Sequence, residues 1–130
     1  MRSVFAFPSG RRADAEAALD AIGARAADGA WHVEDVLWAR IETQAEGLYA
    51  DWLYDDVMAL AAATGAVPTW AVIADASGRV PGHAEVLMLL RAVLAGGGVA
   101  LDDYSGRPWT LGEVEAGRSV ERGRRFFEPA

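Results

Sequence analysis

Apolar and polar positions along the chain fall into two rhythms, one of period two and one of period 3.6. Val4-Phe5-Ala6-Phe7 is a short apolar run stopped by Pro8-Ser9-Gly10, the punctuation of a strand end. Over residues 12–28, Ala15, Ala18, Leu19, Ile22 and Ala26 recur at helical spacing. They predict a helix with a small-residue face, able to lie close to a sheet and ended by Asp28-Gly29. Over residues 31–43 the period shortens to two: Leu37, Ala39 and Ile41 alternate with Trp38, Arg40 and Glu42. One face of that strand is apolar and the other amphipathic, which suits a sheet with a partly exposed side. Glu34-Asp35 is a candidate turn or bulge, which would make Trp31-His32-Val33 a separate strand.

Residues 48–64 return to helical spacing, with Leu48, Trp52, Leu53, Val57, Leu60, Ala61 and Thr64 on the stripe and Asp51, Asp55 and Asp56 on the other side. Gly65 and Pro68 supply its stop. Residues 69–75, Thr-Trp-Ala-Val-Ile-Ala-Asp, are the strongest strand in the chain. Turn residues at Ser77-Gly78-Arg79 and Pro81-Gly82 separate it from a helix over residues 83–95, apolar on most sides and expected to be the most buried. Gly96-Gly97-Gly98 ends that helix, and Val99-Ala100-Leu101 reads as a short buried strand stopped by Asp102-Asp103. Thr110 and Glu113 have the spacing of a capping box, which starts a last helix running to about Gly117 or on to Arg122. Phe126-Phe127 can then fold back on the core.

The resulting order is β-α-β-α-β-α-β-α. It predicts an α/β or α+β fold: one globular domain over 1–130, with about four strands and helices packed on the sheet. Central parallel strands are apolar throughout, so the half-polar 31–43 strand points to a mixed sheet.

Composition narrows the function. The chain has 130 residues, 52% of them hydrophobic, which is enough to bury a core. Nineteen acids against twelve bases give a net charge of −7, and every base is arginine. General nucleic-acid binding needs a basic face, so none is expected. Arg118, Arg122, Arg124 and Arg125 cluster near the end of the chain, but Glu115, Glu121 and Glu128 dilute them. With no cysteine, disulfides, thiolate catalysis and zinc–thiolate sites are excluded. The N-terminal apolar run is too short for a signal peptide and no run is long enough for a membrane span, so a cytoplasmic location is expected.

Catalytic motifs are sparse. Ser77-Gly78 and Ser105-Gly106 are turn signatures, not nucleophile elbows. The glycine triplet precedes a strand rather than opening a helix, there is no lysine for a P-loop, and no cofactor is implied. His83 and Glu85 are two residues apart and do not share a helix face, and His32 lies in or beside a strand.

Two groups of residues remain. On the second helix, Asp51 and Asp55 are i,i+4 neighbours. Structurally, with Asp56 they form a solvated acidic face. Functionally, with Trp52 and its neighbours Tyr49 and Tyr54, they form an acidic, aromatic patch for a basic partner. At the end of the last strand, Asp102, Asp103, Tyr104, Ser105, Arg107 and Trp109 sit together in a turn. That turn is either structural, closed on itself with Trp109 buried and Arg107 paired to Asp102 or Asp103, or a ligand site at a strand end. The expectation is a small acidic intracellular module that docks a basic protein, as an inhibitor or immunity-type protein would. The alternative is a small-molecule enzyme or binder whose site joins the 102–109 loop to Asp75 or to the acids of the second helix.

Overall fold

Alternation along the central strands sends two sets of side chains to opposite faces of one sheet, and the helices divide between those faces. The computed structural model describes residues 2–103, 107–116 and 126–127. The strands are β1 (Arg2–Pro8), β2 (Ala24–Arg25), β3 (Trp31–Val33), β4 (Leu37–Thr43), β5 (Trp70–Ala76), β6 (Gly98–Asp102) and β7 (Trp109–Thr110). The helices are α1 (Arg12–Ile22), α2 (Tyr54–Thr64), α3 (His83–Val93) and α4 (Leu111–Ala116), with a 3-10 turn at Gln44–Glu46.

The strands form one seven-stranded sheet in the order β2-β3-β4-β5-β1-β6-β7, so β5 is central. Every pairing is antiparallel. β5 and β6 are therefore parallel to each other, but β1 lies between them; β1 and β4 are parallel with β5 between them. These are two interleaved split β-α-β units. The fold is a small α+β domain, and the four-stranded mixed sheet and strict alternation are corrected to seven antiparallel strands. The count rises because β2 and β7 have only two residues each, too few for a period-two pattern, and because residues 31–43 divide at Glu34-Asp35 into β3 and β4, the separate strand that turn allowed. The direction differs because a strand inserted between two helix-linked strands leaves no trace in sequence order.

Residues 31–43 hold two strands. Val36 N–H donates to the Val33 carbonyl across Glu34 and Asp35, which have φ of 54° and 55°. Two left-handed residues make the tight turn that matches strand twist. The first helix stops at Ile22, six residues early, because Gly23 passes against the backbone of His32; a Cβ there would lie 2.7 Å from its carbonyl oxygen.

On the first face, Val4, Ala6, Ala39, Val72, Ala74 and Ala100 meet Leu19 of α1 and Val86, Leu89, Leu90 and Val93 of α3. The small strand residues let both helices sit close. Phe126 and Phe127 are buried in the same cluster. On the second face, Phe5, Phe7, Ile73, Val99 and Leu101 meet Leu48, Tyr49, Trp52 and Leu60. That cover lies over the β5-β1-β6 half. On the β3-β4 half, His32, Trp38, Arg40 and Glu42 project from the second face, and none of the described helices lies over them.

Candidate binding surface

Residues 48–53 decide what the second face presents. They are not helical: Ala50 N–H donates to Gly47 and Trp52 N–H to Tyr49, as in successive turns, and Leu53 is extended at φ −73°, ψ 147°. The segment is pulled from a helix by its aromatics, which seat on the sheet. Trp52 stands edge-on to Phe5 at 5.4 Å and to Phe7 at 5.9 Å, and Tyr49 packs on Trp52 at 5.1 Å. Tyr49 donates its hydroxyl to the Pro68 carbonyl at 2.7 Å, and burial pushes its pKa up to about 12. Asp51 thus precedes α2, and the expected i,i+4 pairing with Asp55 on one helix face is corrected.

With the aromatics turned inward, the next residues turn outward. Leu53 and Tyr54 are 71% and 75% exposed, and Met58, one turn later, is 40% exposed. Asp51, Asp55 and Asp56 are exposed around them. Asp55 and Asp56 occupy the first turn of α2, whose N-cap residue Leu53 makes no side-chain bond, so their charge also complements the free N–H groups there.

A cleft of about 200 Å³ lies between this segment and the β6–β7 connection. It is lined by Asp51, Trp52, Leu53, Asp56 and Ala59, by Phe5 and Leu101 of the sheet, and by Asp102, Asp103, Arg107 and Pro108. Five of the sequence-selected residues, Asp51, Trp52, Asp56, Asp102 and Arg107, therefore meet at one place, while Asp55 lies outside the lining. Tyr104 and Ser105 lie outside the described residues. Trp109 is buried on the first face, edge-on to Phe126 at 5.1 Å. Arg107 pairs with Glu113 at 2.9 Å rather than with Asp102 or Asp103. Asp103 accepts the Ser3 N–H at 2.8 Å. Asp102, 5% exposed, accepts the backbone N–H of Phe127.

Asp75 is not in that cleft. It belongs to a row that crosses four strands by register: His32 opposite Trp38, Trp38 opposite Asp75, Asp75 opposite Ser3. The period-two pattern of β4 already set Trp38 outward; only the register brought its neighbours beside it. His83 is elsewhere, edge-on to Phe127. Among the described residues, no group of three or more His, Asp or Glu is placed to hold a metal ion. None of their helices is long and apolar enough to cross a membrane. No family model, curated protein or solved structure matches this chain.

Proposed function

We propose that the chain is a cytoplasmic protein-binding module that docks a basic partner on the surface at the start of α2, as an inhibitor or immunity-type protein does. One observation carries this reading: Leu53 and Tyr54, more than 70% exposed, stand among the carboxylates of Asp51, Asp55 and Asp56. Large apolar side chains exposed together have a hydration cost that a partner's surface relieves, and Tyr is a frequent anchor. The surrounding acids favour a cationic surface and speed its approach.

The neighbouring cleft supports a second reading, a ligand site at the 102–109 loop. Its size argues for the first. Small-molecule sites run to roughly 300–1,000 Å³, and about 200 Å³ holds a single side chain of a partner more readily than a cofactor.

The test compares the wild-type chain with a variant carrying Leu53→Ser, Tyr54→Ser, Asp51→Asn and Asp55→Asn. Both are used as baits in the native cell extract, and the captured proteins are identified by mass spectrometry. The expected result is a basic protein held by the wild type and lost from the variant, with an association rate that falls steeply as salt is added. An identical set of captured proteins on both baits would overturn the reading.

A further inference from the structure

The open half of the second sheet face carries an exposed tryptophan in a polar setting. Trp31 and Trp109 are buried and Trp52 and Trp70 half-buried, but Trp38 is 40% exposed. Its place is forced: Leu37 and Ala39 turn into the core, so Trp38 projects from the other face. His32 braces it, ring centre to ring centre at 3.7 Å with a tilt of 56°. On the other side of the row stands Asp75, which accepts the Ser3 hydroxyl at one oxygen and Arg40 Nη1 at the other, 2.7 Å away. A hollow of about 410 Å³ lies here, lined by His32, Asp35, Trp38, Asp75, Ser77 and Gly78 among others.

We infer that this hollow binds a neutral, hydroxyl-rich ring, a pyranose sugar, laid against the Trp38 indole. The C–H face of a pyranose carries partial positive charge and suits the negative face of an indole. A hydroxyl can donate a hydrogen bond to a carboxylate oxygen with a lone pair to spare, so it can reach Asp75 while Asp75 keeps its bonds to Ser3 and Arg40. An anion meets the carboxylates of Asp35 and Asp75 in the lining, within a chain of net charge −7. A cation must compete with Arg40 for a carboxylate that already has two partners. The volume lies in the roughly 300–1,000 Å³ range of small-molecule sites. His32, Trp38 and Asp75 stand on adjacent paired strands, so little of their order is lost when a ligand arrives. This site is separate from the α2 surface and stands or falls independently of it.

The experiment is a nitrogen-labelled NMR titration of the full chain with glucose, galactose, N-acetylglucosamine and maltotriose, and separately with adenosine, arginine and inorganic phosphate. At least one sugar is expected to give a saturable shift of the Trp38 indole N–H and of the Ser77 and Gly78 amides. Trp38→Ala should weaken that sugar about tenfold, the scale of a lost aromatic stacking contact. Asp75→Asn, which keeps the shape of the row, should also weaken it, whereas Leu53→Ser should leave it unchanged. If no sugar moves these resonances, the inference is wrong. It is equally wrong if both Trp38→Ala and Asp75→Asn bind as tightly as wild type. If adenosine, arginine or phosphate shifts Trp38 and the sugars do not, the hollow serves that chemistry instead.

Discussion

The backbone N–H of Phe127 donates to Oδ2 of Asp102 at 2.6 Å, inside the core and across 25 residues of chain. Phe127 has φ of 65°, a left-handed conformation that costs a bulky residue energy, and the carboxylate helps hold it there. Beside it, Arg2 lies over the Phe127 ring at 4.5 Å. Asp102 thus ties Phe127 to the end of β6. Removing the acceptor leaves a buried N–H unsatisfied, which costs about 1–3 kcal/mol. Asp102→Ala should lower unfolding stability by about that amount in urea titrations, and Asp102→Asn, which keeps an acceptor, by less. Equal midpoints for wild type and Asp102→Ala would show that the bond contributes nothing.

Leu90 is fully buried between α3 and the sheet. Its truncation to alanine removes apolar contact and leaves a cavity, at about 2–5 kcal/mol. A guanidinium titration in which Leu90→Ala unfolds with the wild type would place α3 outside the core.

The central strand β5 is paired on both sides over most of its length, by β4 and by β1. Val72 and Ile73 amides should be among the slowest to exchange with solvent, opening only with the whole fold. Exchange as fast as in β2 would contradict the sheet order.

Gly98 has φ of 121°, and a Cβ there would run into the Phe7 carbonyl oxygen and Pro8 Cα. Gly98→Ala should cost more than about 2 kcal/mol, from left-handed strain plus backbone collision. Gly96 has nothing within 4 Å of a built Cβ and no such conformation, so Gly96→Ala is the control. Similar melting temperatures for the two variants would refute the crowding.

Tyr49 holds its proton to about 12 in the folded chain, against an ordinary 10.0. The unfolded chain loses that proton first. The neutral phenol's contribution is therefore complete below pH 10 and drains away as pH rises toward 12. Tyr49→Phe should be less stable at neutral pH, having lost the bond to Pro68, but should show a flatter decline across that alkaline window. Parallel curves for the two proteins in denaturant titrations from pH 9 to 12 would assign the decline to other groups.

Much of this arrangement can be read from residues alone. The apolar run of residues 71–74 announces a central strand, and the stripe Val86, Leu89, Leu90 and Val93 announces a buried helix. The Thr110–Glu113 box forms as its spacing requires: Glu113 N–H donates to Thr110 Oγ1 at 3.2 Å, and Thr110 N–H to Glu113 Oε1 at 3.0 Å. The segment from Leu48 to Leu53 misleads because its apolar spacing suits a helix equally well. Burial of Trp52 and Tyr49 against Phe5 and Phe7 outweighs the few tenths of a kcal/mol per residue that helix propensity supplies.

Residues alone tell which stretches bury apolar side chains, which positions face outward from β4, where glycine and proline interrupt, and which chemistries the composition removes. These follow from local periods and residue types, acting over a few residues. Long-range packing alone puts β1 between β5 and β6, brings Asp51, Trp52 and Arg107 to one cleft, and turns Asp102 inward to Phe127. Only it set His32, Trp38, Asp75 and Ser3 in one row. Strand register and order arise from packing the whole apolar surface at once, and residues 72 positions apart, as Ser3 and Asp75 are, leave no shared local pattern to read.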